Sequence, residues 1–508
     1  MTGSPAWQAL TFARALRAVA GREPGKVAMV QGDANRSFGE LAGRAAALRN
    51  AAITALGVRQ GDNVGIVSRN CFEFIEVVAG LPDAGAAVAM VNPRGAPPEM
   101  AATLDDCGAT LVFADAQSAD FARSTGRRVI EFGAQYEALL ADAVVPAGLP
   151  TIEEWDAWTI PYTSGTTGKP KGVVLSHRSR MLVGLICASE FGCFGPDDRF
   201  LAMSPMTHGG GLGFPVGILS LGGSIEILDK FDPELTLDRL KFGGITGLFM
   251  VPTHFQMIFA LPPATLGKYA RPETLKSILA NAAPLPQALK PRILEYFGET
   301  VLHELYGATE TGLVCNLRPR DQLRKASCVG TPFAHVEVEI RREDGTLCEP
   351  DEVGELWSRA PVMFNGYWNR PEETAKAVRD GWVSVGDMAR RDEEGFLYIV
   401  DRIKDMVISG GVNIYPREIE ELLFTHPAIA DVAVVGVPDV TWGERLKTFA
   451  VLREPLTAED LGAFCAGKIA PYKIPRELEA VDALPRNANG KVLKTQLRAR
   501  TGPEEATT

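Results

Sequence analysis

The sequence has no uninterrupted apolar run long enough to cross a bilayer; its richest stretch, 77–91, is broken by Pro82 and Asp83. Its 8 cysteines lie far apart, with no CxxC pair and no Cys/His spacing of a metal-binding kind. A disulfide framework or zinc module is thereby excluded, and reduced, mostly buried thiols of a cytoplasmic protein are predicted. An excess of basic charge is missing too: 52 Lys and Arg face 63 Asp and Glu, for a formal net charge of -11. This argues against a broadly basic nucleic-acid-binding surface and leaves room for a local basic pocket. The opening residues, MTGSPAWQALTFARALRAVAGREP, scatter arginines among apolar positions and lack the segment order of a secretory signal. There is no internal repeat and no low-complexity block.

What is present is a chain of 508 residues, 46% hydrophobic, long enough for a buried core and for more than one domain. The expectation is a soluble cytoplasmic chain with no integral membrane segment and no nucleic-acid partner; a homodimer is left open. Short β-branched runs at 27–30, 64–67 and 86–91 alternate with helical spacing such as 38–56, and the rhythm returns at 200–203, 225–228, 248–251 and 301–305. That alternation predicts an α/β fold with helices covering mostly parallel sheets in a large N-terminal domain (1–400). Residues 335–341 instead alternate strictly, with Val336, Val338 and Ile340 facing one way, which predicts a half-exposed antiparallel region. After Asp401, about 100 residues remain, enough for a small α+β C-terminal domain (401–500), followed by a polar, frayed tail (501–508).

The densest local signal is the run Tyr162-Thr-Ser-Gly-Thr-Thr-Gly-Lys-Pro-Lys-Gly172. Glycines let backbone N–H groups turn onto a polyanion, hydroxyls add donors, and lysines supply countercharge; a triphosphate is the natural guest. It is not a Walker A loop. The position five before Gly168 is Thr163 rather than Gly, and Lys169 is followed by Pro170, which can neither donate an N–H nor readily continue a helix.

This loop and four later runs in order resemble the adenylate-forming superfamily of acyl-CoA synthetases, peptide-synthetase adenylation domains and firefly-type luciferases. The later runs are Tyr306-Gly-Ala-Thr-Glu310, Val385-Gly-Asp387, Asp401-Arg-Ile-Lys-Asp405 leading into Ser409-Gly-Gly411, and Pro485-Arg-Asn-Ala-Asn-Gly-Lys491. The resemblance implies a C-terminal domain that rotates between two half-reactions, with ATP, Mg²⁺ and coenzyme A as cosubstrates and cofactor and a small carboxylic acid as substrate. It assigns the nucleotide to Thr163, Ser164, Gly165, Thr166, Thr167, Gly168, Lys169, Lys171, Ala282, Ala283, Tyr306, Gly307, Asp387 and Arg402. Within that set, Thr166, Thr167 and Lys169 hold the β and γ phosphates, Tyr306 lies against adenine, and Asp387 takes the ribose hydroxyls. Thr309 donates to the α-phosphate, and Thr166 and Glu310 are the metal ligands. Lys491 is the catalytic cation: a carboxylate attacking a phosphate brings two anions together, and a lysine touching both lowers the repulsion.

Lys404 matches the family hinge. Gly410, Gly411 and Trp442 match the passage for the pantetheine arm, although a core tryptophan reads the same way in sequence. Lys473 and Arg476 match the CoA phosphate contacts, where Ile474 replaces a basic residue of some relatives. Val385 and Asn487 also depart from the usual threonines, without removing a group the chemistry requires. By the same analogy the acid pocket is lined by His208, Gly209, Gly210, Gly211, His254, Asn281, Gly307 and Leu313, with His208 as a gate or a structural histidine and the three glycines after it removing side-chain volume to leave a roomy apolar pocket. No fixed cation stands out there, which points to a hydrophobic monocarboxylate (fatty, aryl or alicyclic). An acyl carrier protein in place of CoA, and a nucleotide-binding interaction protein without catalysis, remain as alternatives. The hinge match predicts that Lys404→Pro leaves adenylation largely intact and slows thioester formation, which single-turnover assays of the two half-reactions would resolve.

Overall fold

The computed structural model describes residues 9–163, 170–486 and 492–500. Parallel strands Val27–Gln31, Ser224–Ile227, Arg199–Ala202, Gly247–Met250, Ser277–Ala280 and Leu302–Ala308 lie side by side in that order in a nine-stranded sheet. Antiparallel strands close its edges, Ala34–Ser37 on one side and Gly312–Leu317 with Thr331–Pro332 on the other. A seven-stranded sheet runs Gly366–Tyr367, Lys171–Ser176, Ala157–Thr163, Ala87–Val91, Asn63–Val67, Leu111–Ala114, Arg128–Glu131, and is parallel from Ala157–Thr163 onward. The expected strands recur within one residue of their sequence positions, except that the one read at 301–305 runs on to Ala308. Ala87–Val91 is buried at every residue, which is why it reads as a continuous apolar run rather than an alternating one.

The helix read at 38–56 spans Phe38–Thr54. It starts on a capping box, with Ser37 Oγ accepting from Glu40 N at 3.2 Å and Glu40 Oε2 accepting from Ser37 N at 2.7 Å. Its buried stripe, Phe38, Leu41, Ala45, Leu48 and Ala52, turns toward the helix Phe72–Asp83. The two come close because Gly80 has no side chain: a Cβ there would sit 2.7 Å from the Ala45 carbonyl oxygen.

Residues 337–402 form a third, antiparallel sheet, in which the alternating segment becomes Glu337–Arg341 paired with Gly354–Arg359, as its pattern predicts. Strand Leu397–Arg402 carries Asp401 and Arg402 within this sheet, past the break expected after residue 400, because both pair with Asp387–Arg391. The remainder builds a five-stranded sheet around Ile429–Asp439 and Gly443–Leu452, with helices Pro416–Leu423, Ala458–Cys465 and Lys494–Arg500 and a core of its own that includes Val407, Ile419, Leu423 and Val434. This is the α+β unit expected. The tail expected at 501–508 lies outside the described residues. Among the described residues, no helix is long and apolar enough to cross a membrane. Six of the eight cysteines are buried; Cys71 and Cys348 are partly so.

His177 and His303 are buried as neutral rings. Neither nitrogen of His177 has a hydrogen-bond partner among the described residues, and His303 Nδ1 lies 3.2 Å from Asn316 Oδ1. Burial holds both imidazoles down at about 4, against an ordinary 6.5. The unfolded chain thus takes up protons before the folded one does. Stability is unaffected by these rings above pH 6.5 and is lost as pH falls toward 4, with a slope approaching ~1.4 kcal/mol per pH unit for each ring. Denaturant midpoints across that window should fall accordingly, and His177→Leu should flatten the slope.

Candidate active site

A cleft of about 340 Å³ opens where the first sheet, the third sheet and the C-terminal unit meet. Its floor is the hairpin of Leu302–Ala308 and Gly312–Leu317, whose ladder shifts register between Tyr306 and Gly307. Only glycine fits at 307, since a Cβ there would lie 2.0 Å from the Gly312 carbonyl oxygen. The turn between the strands holds Thr309 and Glu310 and is closed by Ala308 N donating to Thr311 Oγ1 at 2.9 Å. Glu310 is buried; its Oε1 accepts from Tyr367 Oη at 2.9 Å, and its backbone carbonyl accepts from Phe364 N at 2.9 Å.

Tyr306 Oη donates to Asp387 Oδ2 at 2.7 Å, while Arg402 Nε lies 3.0 Å from Asp387 Oδ1. Both carboxylate oxygens are therefore engaged, each with a lone pair to spare. Burial first, and Asp387 second, push the Tyr306 hydroxyl well above the usual tyrosine range, so it stays a donor. Burial by itself would weaken the Arg402 guanidinium; Asp387, Tyr306, Asp405 and Glu310 together outweigh it and leave that group raised. Opposite stands Ala282, a non-glycine residue at φ 75°, with Asn281 Oδ1 accepting from its N–H at 2.6 Å. The cleft thus brings together Asn281, Ala282, Ala283, Tyr306, Gly307, Asp387 and Arg402.

The other expected residues lie elsewhere or outside what is described. Ser164, Gly165, Thr166, Thr167, Gly168, Lys169 and Lys491 fall outside the described residues. The flanks of the last of these do not: Arg486 and Val492 pair across an isolated bridge and both line the cleft. Thr163 and Lys171 face each other at the ends of their strands. Lys171 is not a free cation, since it pairs with Glu373 and lies 5.2 Å above the Tyr367 ring.

His208 precedes the helix Gly209–Ser220. Its Nε2 is buried without a partner among the described residues, and burial lowers the ring to about 4. The glycines after it do not all open space. A Cβ on Gly211 would lie 2.0 Å from the Pro205 carbonyl oxygen and one on Gly210 3.1 Å from Phe249, so these two serve close packing, while Gly209 faces open space. His254 stacks on Phe231 at 4.1 Å and is likewise lowered to about 4, by burial. Arg94, exposed, is the charged group that acts on both rings. Leu313 is buried opposite Gly307.

The residues expected at coenzyme A sit away from this cleft. Gly410, at φ 58°, packs under Trp442, whose ring would be 2.8 Å from a Cβ there; Trp442 is 52% exposed and so is not a core residue. Gly411 borders open space. Lys473 pairs with Glu418 at 2.6 Å, and Arg476 is exposed. Lys404 is exposed just beyond the strand that ends at Arg402.

Sequence reading missed Tyr367, Ser327, Arg417, Glu420, Glu421 and Lys494. The last five line the cleft. Lys494 follows the final motif by three positions and could have been flagged from that; the others carry no local signal.

The model of the AMP-binding enzyme family matches residues 16–368, and that of its C-terminal domain matches 418–491. The chain belongs to the AMP-binding enzyme family. A 2-succinylbenzoate–CoA ligase of Geobacillus kaustophilus is 34% identical over 478 residues, covering 94% of this chain and 95% of that enzyme. Among solved structures, the o-succinylbenzoate CoA synthetase of Bacillus subtilis with the acyl-adenylate intermediate OSB-AMP superposes at a TM-score of 0.86, with 30% identity over 95% of this chain and 97% of that one. The same enzyme with ATP and magnesium ion gives 0.86 and 29%, over 95% and 98%. The α/β architecture with its added C-terminal unit is that of these adenylate-forming enzymes. For the site itself, Asp387→Asn should weaken AMP binding about tenfold by removing a charge-assisted pair, as calorimetry would read.

Proposed function

We propose that this chain is an AMP-forming acid–CoA ligase for a hydrophobic, most simply aryl, carboxylic acid. The observation that carries the reading is the Tyr306–Asp387–Arg402 cluster, which lines one cleft together with the residues flanking Lys491. A base can lie on Tyr306 and Gly307, with the strained Asn281–Ala283 turn at its edge. The ribose hydroxyls can donate to the lone pairs that Asp387 keeps free.

In the first step an oxygen of the substrate carboxylate attacks the α-phosphorus. A carbon-bound O–P bond forms, the bond to the bridging oxygen breaks, and pyrophosphate leaves with the electron pair. Lys491 neutralises the approach and the departing charge, and Thr309 donates to the α-phosphate. Magnesium, when bound, would shield the phosphate charge; Glu310 fits it as a carboxylate with one oxygen held by Tyr367 and the other without a hydrogen-bond partner among the described residues. In the second step the CoA sulfur attacks the acyl carbon, the acyl–O bond breaks, AMP leaves, and the thiol proton passes to solvent. Gly410, Gly411 and Trp442 form the entry for the thiol arm after the C-terminal unit turns, with Lys404 as its pivot.

The neutral His208 and His254 and the aromatic Phe249 support an apolar acid. A second reading of the substrate is an aryl acid with a second carboxylate, as named for the Geobacillus relative.

The test is release of pyrophosphate and AMP from ATP and Mg²⁺ across fatty, alicyclic, aryl and 2-succinylbenzoate acids, each with and without CoA. Acid-dependent pyrophosphate with CoA-dependent AMP turnover and a thioester is the expected result. Turnover confined to 2-succinylbenzoate would select the dicarboxylate reading. Pyrophosphate without CoA dependence would move the acceptor to a carrier protein, and silence with every acid would sink the ligase.

A further inference from the structure

The cleft is closed on its C-terminal side by the helix Pro416–Leu423, and two neighbouring glutamates on that helix reach in different directions. Glu420 pairs with Lys494 at 2.7 Å and accepts from Val434 N at 2.7 Å, which ties the helix to the residues that follow Val492. Glu421 reaches across the cleft instead, where its Oε2 accepts from Ser327 Oγ at 2.6 Å. Its other oxygen accepts from Arg417 Nε at 3.2 Å, and Arg417 N donates to Asp401 Oδ2 at 3.1 Å. Both oxygens of Glu421 are thus committed, and the short O–H···O⁻ bond is of the stronger, charge-assisted kind.

Ser327 is held for this contact from the other side. Its backbone is in the left-handed region at φ 54°, unfavourable for a residue with a Cβ. Its N–H points to Gln287 Oε1 at 3.5 Å. The next residues are pinned to the third sheet, Cys328 Sγ donating to Leu397 O at 3.3 Å and Val329 N to the same oxygen at 2.9 Å. The serine hydroxyl is therefore a fixed point of the larger body. From it a continuous chain of contacts runs through Glu421, the helix, Glu420 and Lys494 to the bridge between Arg486 and Val492, from which 487–491 departs.

We infer that Ser327 and Glu421 form a latch that sets the C-terminal unit in the orientation serving adenylation, and are positioning residues for Lys491. The inference rests on the reading given under Proposed function. The latch has to form and break once per turnover, which suits a single hydrogen bond at the rim of a cleft better than a packed apolar seam would. Losing it frees the C-terminal unit, thins the population that holds Arg486 and Val492, the flanks of Lys491, at the cleft, and leaves the second step untouched.

The test uses the full chain and the variants Ser327→Ala, Glu421→Ala, Glu421→Gln and the double alanine. Fluorophores attached through ketone side chains introduced at the exposed Phe242 and Val440 report the separation of the two bodies without substrate. The expected result is a shifted or broadened distance distribution in both alanine variants and recovery in Glu421→Gln, whose amide oxygen still accepts from Ser327. Single-turnover pyrophosphate release should fall about tenfold in either alanine variant, the cost of one charge-assisted hydrogen bond, with no further loss in the double. Thioester formation from pre-formed acyl-adenylate and CoA should keep its rate. An unchanged distance distribution overturns the latch, as does an equal loss in both half-reactions. If the parent chain releases no pyrophosphate with any acid, the ligase reading fails, and the distance measurement still decides whether the latch exists.

Discussion

The carboxylate of Asp387 is where three parts of the chain meet. Tyr306 comes to it from the last parallel strand of the first sheet, Arg402 from the strand that leads into the C-terminal unit, and Asp387 itself opens its partner strand in the third sheet. Because Asp387 and Arg402 are also β-ladder partners, the ion pair and the backbone register enforce each other; a slip by one residue would turn both side chains away from Tyr306. The cleft, the strained Ala282 beside it and the departure of the chain toward Lys404 all take their places from this junction.

Much of this was legible beforehand. Buried parallel strands announce themselves as short β-branched runs, and 335–341 announced an exposed face by strict alternation, so the layers could be read without long-range information. The run Tyr306 to Glu310 could be picked out by its resemblance, and within it Gly307 is required by a backbone contact only five residues away. Contacts between distant segments could not. Nothing near Lys171 says that Glu373 will neutralise it, and nothing near Ser327 says that Glu421 will lie opposite. The three glycines after His208 show the same limit from the other side. A missing side chain in sequence reads as space, whereas at Gly211 the space is already filled by a carbonyl.

Sequence also understated how charge is distributed. The chain is acidic overall, yet the cleft mixes both signs, with Arg402, Arg417, Arg486 and Lys494 facing Asp387, Asp401, Asp405, Glu420 and Glu421. Such pairs cost desolvation when buried and return it only with good geometry. Asp387, Asp401 and Asp405 are themselves buried, so here the return depends on contacts such as those of Tyr306 and Arg402 to Asp387. The exposed face around Gly410, Trp442 and Val440 contrasts with this, being apolar and outside the cleft.

The deep burial of histidine has a consequence for how acid would silence this protein. His208 and His254 stay neutral until about pH 4, so the surroundings of these rings keep one charge state throughout the mildly acid range. By the same linkage all four rings, His177 and His303 included, are reluctant to charge while the chain is folded and charge readily once it opens. Through these four rings, acid bears on folding rather than on an imidazole titrating in the site, so their part in acid inactivation depends on time and temperature as well as on pH.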